Sequence, residues 1–208
     1  MPYSKTLFNT AIVILAAGES RRFQSCKQLA KDSKGISILE RSIQNATSSL
    51  VGPVYVVLGA RAAQIKRSIT IEDVSFVENL QWKNGLGSSI SCGVQAIVLQ
   101  HPDIDSIIIT LADQLELQPK DFENLARTQI NNPDYPVASA YSATLGSPCS
   151  FPHSMFASLI KLEGKQGAKF LLRGSHPTVI ENPRAAVDID TQAQWNEWLT
   201  TTSIDYAQ

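Results

Sequence analysis

Residues 12–17, Ile-Val-Ile-Leu-Ala-Ala, are apolar without a break and stop at Gly18. A half-buried strand alternates apolar and polar side chains. A short run that is apolar throughout predicts a strand covered on both faces, as in a parallel sheet sandwiched between helices. The same pattern recurs at 53–59, 74–77 and 106–112, and a fifth strand is expected at 137–141. Residues 146–152 read as a turn and a short strand, and 178–180 and 186–190 as a last extended segment.

The intervening stretches have helical spacing. Ile36, Leu39 and Ile43 fall on one face of a helix over 36–49, and a short helix is expected at 62–69. Ser88 or Ser89 is placed to cap a helix running through Val94, Ala96 and Leu99, and Pro119 to open one through Phe122, Leu125 and Ile130. Helices near 153–162 and 167–173 follow, and Thr191 starts a C-terminal helix carrying Trp195, Trp198 and Leu199. Strand–helix alternation of this kind predicts an α/β fold with a mainly parallel sheet. At 208 residues, with no repeat, linker or low-complexity segment, the chain is expected to form a single domain over 1–208.

Composition limits the partners. Hydrophobic residues make up 43% and charged residues 18%, which suits a globular protein, and a net charge of −1 gives no general attraction to nucleic acid or anionic membrane. Cys26, Cys92 and Cys149 are far apart and show no zinc-type spacing, so free thiols in a reducing cytoplasm are expected. Residues 1–10 have no secretory leader pattern, and no apolar run approaches the roughly 20 residues that span a bilayer.

In open parallel sheets, ligands bind beyond the carboxyl ends of the strands. Here those ends carry Gly18, Gly59, the loop 79–89 and Asp113. Arg21, Arg22 and Lys27 follow Gly18 closely, an arrangement suited to phosphate. Asp113 ends an apolar strand, and Asp190 ends another apolar run with Asp188 two residues earlier. Separated carboxylates beside phosphate suit Mg²⁺, although each Asp would equally serve as a cap or turn residue. Gly85-Leu86-Gly87 opens like a dinucleotide fingerprint but lacks the third glycine and follows a long loop, and no P-loop sequence occurs. His101, His153 and His176 are scattered, and Trp82 reads as a loop anchor.

Several motifs, in order, resemble the MobA-like nucleoside triphosphate transferases, which include the molybdenum cofactor cytidylyltransferases. They are Leu15-Ala16-Ala17-Gly18-x-x-x-Arg22-Phe23-x-x-x-Lys27-Gln28-Leu29, Asn79-x-x-Trp82-x-x-Gly85-x-Gly87-Ser88-Ser89 and Leu111-Ala112-Asp113-Gln114. Gly146-x-Pro148-x-x-Phe151, Gly167-Ala168 and Asp188-Ile189-Asp190-Thr191 complete the series.

The resemblance implies a Rossmann-like, three-layer nucleotidyltransferase fold with a mixed, mainly parallel sheet and a Mg²⁺-dependent reaction. It implies that Arg22 and Lys27 neutralise the departing pyrophosphate and that Asp113 and Asp190 hold the metal. It also implies that Leu15, the backbone of Ala16, Ala17 and Gly18, the Gly59 loop and the region of Gly87 and Ser88 bind the nucleotide. The Leu-Ala-Ala-Gly form, in place of the Leu-Ala-Gly-Gly of guanylyl relatives, favours CTP, with the phosphate of molybdopterin as acceptor and a molybdenum hydroxylase as recipient. A sugar 1-phosphate acceptor, or a non-catalytic cofactor carrier on the same fold, are the alternatives.

Departures from the family pattern fall at Gln24 (usually Gly), Cys26 (usually Pro), Leu115 and Gln192 (each usually Pro) and Lys165 (usually Asp). Gln24 implies an altered loop path or a strained backbone there.

Overall fold

A computed structural model describes residues 8–205, so the leader reading for residues 1–7 lies outside the described residues. The strands are β1 (Thr10–Ala16), β2 (Val54–Leu58), β3 (Val74–Glu78), β4 (Ser106–Leu111), β5 (Val137–Tyr141), β6 (Thr144–Pro152) and β7 (Thr178–Glu181). The helices are α1 (Ile38–Ser48), α2 (Ala62–Ser68), α3 (Leu86–Gln100), α4 (Pro119–Asn131), α5 (Phe156–Ile160), α6 (Ala168–Arg173) and α7 (Gln192–Asp205). The strands form one seven-stranded sheet in the order β3-β2-β1-β4-β6-β5-β7. β6 runs antiparallel to both its neighbours, and every other pairing is parallel.

The apolar strands are unbroken because both faces of the sheet are covered. Ile12 and Ile14 of β1 face one side, where they share a core with Leu39 and Ile43 of α1, Ile65 of α2 and Phe122 and Leu125 of α4. Val13 and Leu15 face the other, with Ile90, Val94 and Ile97 of α3 and Leu159 of α5. Each such fully buried aliphatic side chain contributes about 1.5–3 kcal/mol relative to exposure. α1 opens with a reciprocal cap: the Glu40 amide donates to Ser37 Oγ, and the Ser37 amide donates to the Glu40 carboxylate. Pro119 stands at the first turn of α4 as the sequence predicts.

Three elements differ from expectation. α3 starts at Leu86 behind Gly85, not at a serine cap. Ser88 lies inside the first turn, where its Oγ donates to the carbonyls of Gly85 and Gln81, and Gly85 holds the cap position. β6 is a nine-residue strand where a turn and a short strand are expected, because its pairing to β4 and β5 outweighs the turn preference of Gly146 and Pro148. Residues 186–190 form no strand. Pro183–Ala186 makes a 3-10 turn, and Asp188 forms a single bridge to Gln114. Among the described residues no helix is long and apolar enough to cross a membrane.

Candidate active site

The chain leaves β1 at Ala16 and doubles back through two 3-10 turns, Arg21–Phe23 and Lys27–Leu29. A buried carboxamide fixes this path. Gln28 Nε2 donates to the carbonyls of Ala16 and Gly18, both at 3.0 Å, and its Oε1 accepts from Ser20 Oγ at 3.1 Å and Cys26 Sγ at 3.5 Å. Phe23 is buried in a small apolar cluster with Ile38, Leu115, Ile189 and Trp195, which ties the loop to the segment entering α7. Gln24 adopts φ 63°, the left-handed conformation a glycine takes freely. The glycine's path is therefore kept and its strain is carried, at a cost of about 1–2 kcal/mol for a side-chain-bearing residue.

The ends of β4 and of the chain before α7 are joined by local pairing. The Ile189 amide donates to the Asp113 carbonyl at 3.2 Å, beside the Gln114–Asp188 bridge. Gln114 Nε2 donates to the carbonyls of Ser147 at 2.7 Å and Ala185 at 2.9 Å, locking the turn after β4 to β6 and to the approach to residue 190. This pairing brings two distant aspartates together. Lys27 Nζ lies 2.6 Å from Asp113 Oδ2 and 3.4 Å from Asp190 Oδ1, and Arg22 Nη2 lies 2.8 Å from Asp190 Oδ2. Burial pushes the Asp113 carboxyl above its ordinary range, against the pull of the Lys27 ammonium. Asp113 Oδ1 is buried with no hydrogen-bond partner.

Around this cluster lies an open cleft of about 600 Å³ at the carboxyl ends of the parallel strands. Leu15, Ala16, Ala17, Gly18, Arg22, Lys27, Asp113 and Asp190 all line it. Asp188 is exposed and does not share the cleft with Asp190. Arg21 reaches the rim but is paired with Glu19 at 2.7 Å and largely in solvent.

Gly59, Gly87 and Ser88 are not among the residues lining the cleft, and packing accounts for all three. A Cβ on Gly59 would stand 2.5 Å from Trp82 Cβ and 2.7 Å from the Ala17 carbonyl, so this glycine admits the indole. A Cβ on Gly87 would stand 2.7 Å from the Glu163 carbonyl and 2.8 Å from that of Gln166, and one on Gly85 2.3 Å from the Gly164 carbonyl. Those glycines seat the 163–167 loop. Ser88 accepts from Asn79 Nδ2 at 3.0 Å within the same packed turn. The cleft wall on this side is instead Trp82, Lys83, Gly85, Leu86 and Ser89. Gln28 and Gln114 carry no charge and no nucleophile; their sequence signal is that each stands in a family-like motif directly after Lys27 or Asp113.

The donor set suits a divalent cation with few protein ligands. Two carboxylates converge, one with an unpaired buried oxygen, and among the described residues no group of three or more His, Cys, Asp or Glu does so. A small hard cation completed by water and phosphate oxygens matches that set.

A family model for the MobA-like NTP transferase domain matches residues 12–179. Nicotine blue oxidoreductase of Paenarthrobacter nicotinovorans is 26% identical over 136 residues, 65% of this chain; the match spans only 63% of that relative's length. The fold is similar to that of Rv0371c from Mycobacterium tuberculosis H37Rv, with a TM-score of 0.75 and 22% identity over 92% of this chain and 98% of that one. The same mycobacterial protein has been solved in complex with manganese. Molybdopterin-guanine dinucleotide biosynthesis protein A from Archaeoglobus fulgidus gives a TM-score of 0.70 and 14% identity over 93% of this chain and 98% of that one.

Proposed function

This chain belongs to the MobA-like NTP transferase family, a nucleotidyltransferase family, and on that premise we propose that it transfers CMP from CTP to the phosphate of a molybdopterin cofactor, with Mg²⁺ and with release of pyrophosphate. The observation that carries the reading is the convergence of Lys27, Arg22, Asp113 and Asp190 on one cleft at the strand ends. We take residues 1–208 to act as one domain, in the cytoplasm, where three unpaired thiols are at home.

In this reading the β1 loop receives the triphosphate against the backbone of Ala16, Ala17 and Gly18. The acceptor's phosphate oxygen attacks the α-phosphorus in line. A P–O bond forms as the bond to the bridging oxygen breaks, and pyrophosphate leaves with that electron pair. Lys27 and Arg22 offset the charge that grows on the leaving group, and Gln28 holds their loop in place before the reaction begins. Asp113 and Asp190 are the residues that would hold Mg²⁺, which supplies positive charge beside the phosphates when bound. No side-chain nucleophile is required.

A redox role of the kind named for the Paenarthrobacter relative is the second reading. Its support is weaker, because the fingerprint that Gly85 and Gly87 open lacks its third glycine and Gly87 is packed against the Glu163 and Gln166 carbonyls. The test is incubation with each of the four nucleoside triphosphates, Mg²⁺ and molybdopterin, followed by product mass. The expected product is the cytidylyl adduct formed from CTP alone. A nucleotide-sugar formed from a sugar 1-phosphate panel, or no adduct with any triphosphate, would overturn the reading.

A further inference from the structure

The cation and the two carboxylates at the cleft floor occupy one another. Lys27 Nζ stands between Asp113 Oδ2 and Asp190 Oδ1, and Arg22 takes the other oxygen of Asp190. Lys27 is itself mostly buried, with 12% of its side chain exposed, so its ammonium is held at this point and does not sample solvent freely. Only Asp113 Oδ1 remains without a partner, and it is buried. Two cations and two carboxylates leave the cluster close to neutral. A divalent cation brought there alone would meet carboxylates already paired, with two positive charges beside them.

From this geometry we propose that Lys27 is a gate on the metal site: its ammonium blocks divalent-cation binding in the free protein and releases Asp113 and Asp190 only when a polyphosphate draws it away. The inference rests on the triphosphate reading for the identity of the releasing ligand, but the block itself rests on the distances alone. Triphosphate carries enough negative charge to become the better partner for both Lys27 and Arg22. Once they turn to it, the two carboxylates face the cleft unpaired. Metal and triphosphate then bind cooperatively, and by linkage each tightens the other by the same factor. Lys27 thereby sets the order of assembly as well as offsetting charge. A metal bound early, without triphosphate, would compete with the arrangement needed to receive it.

The test is Mn²⁺ binding followed by the paramagnetic resonance of the free ion, which requires no turnover. Wild type without nucleotide should bind Mn²⁺ weakly. Lys27→Met should bind it about tenfold more tightly or better, in the range of ordinary coupling between linked sites. Lys27→Gln, which keeps a hydrogen-bond donor for Asp113 but no charge, should do the same and serves if the methionine variant does not fold. Lys27→Arg, which keeps the charge, should stay as weak as wild type. CTP itself chelates Mn²⁺, so this arm is read against a protein-free Mn²⁺–CTP blank: beyond that blank, CTP should tighten Mn²⁺ binding to wild type by a similar factor and leave Lys27→Met nearly unchanged. Equal Mn²⁺ affinity in wild type and both uncharged variants would overturn the gate. Tighter binding by those variants, together with no effect of CTP on wild type, would uphold the gate and reject the triphosphate reading.

Discussion

The loop after β1 and the loop after β3 look alike in sequence and are built for opposite purposes. Each is rich in small and polar residues, and each is pinned by one buried carboxamide, Gln28 in the first and Asn79 in the second. The first loop aims charge at the cleft: Arg22 and Lys27 reach the carboxylates, and Ser20 and Gln24 carry left-handed backbone to make the path possible. The second turns its glycines inward, where Gly85 and Gly87 receive the 163–167 loop at distances no side chain allows. A glycine in a ligand-binding motif can thus serve the protein's own packing, while a strained non-glycine residue can hold the functional path.

Substitutions should separate the two loops by what they damage. The largest effect is expected at the residue the first loop addresses. Asp113→Asn should lower metal-dependent turnover by about a thousandfold, the upper range for removing one electrostatic contact from a reaction site. The same change also removes a titrating group from the fold. Burial raises the Asp113 pKa in the folded state, so the folded protein holds its proton more tightly than the unfolded chain does. Stability is then complete below the unfolded carboxylate value of about 3.9 and falls as pH rises through the folded value. The thermal midpoint of wild type should therefore rise relative to that of the asparagine variant as pH falls from neutrality.

Gly87→Ala should act in the opposite way. Its new methyl meets backbone oxygens that cannot yield, so denaturant unfolding should show a loss of about 3 kcal/mol. Next comes Gln28→Leu. It strands the carbonyls of Ala16 and Gly18 and should cost about 1–3 kcal/mol of stability while raising KM for the nucleotide. The smallest effect is at Gln24→Gly, which removes the left-handed penalty and should stabilise the fold by about 1 kcal/mol in the same assay, with turnover kept.

Much of this was legible in the sequence for a physical reason. Strands buried on both faces must be apolar throughout, so β1, β2 and β4 stand out without a structure, and a parallel sheet puts the ligand at their carboxyl ends. Leu15, Gly18, Arg22, Lys27, Asp113 and Asp190 accordingly share one cleft. What the sequence hid depends on long-range contact. Gly59 is explained by Trp82, 23 positions away in the chain, and by the Ala17 carbonyl, and Gly87 by the Glu163 and Gln166 carbonyls. β6 was obscured because Gly146 and Pro148 suggest a turn, while its partners on both sides dictate a strand. Gln28 and Gln114 stand in the motifs but carry neither charge nor nucleophile, so their positioning role appears only once their hydrogen bonds are drawn.

The two loops differ most sharply in which of them is proposed to receive the triphosphate: the charged β1 loop and not the glycine-rich β3 loop. Calorimetric titration of CTP with Mg²⁺ into wild type, Arg22→Ala and Lys83→Ala separates them. Arg22 and Lys83 are both exposed cations at the cleft, one on each loop, so neither substitution should disturb the fold. Arg22→Ala should weaken CTP binding by about tenfold, on the scale of one lost charge-assisted contact, while Lys83→Ala should change it far less. The reverse order, or equal affinity in all three proteins, would contradict that proposal.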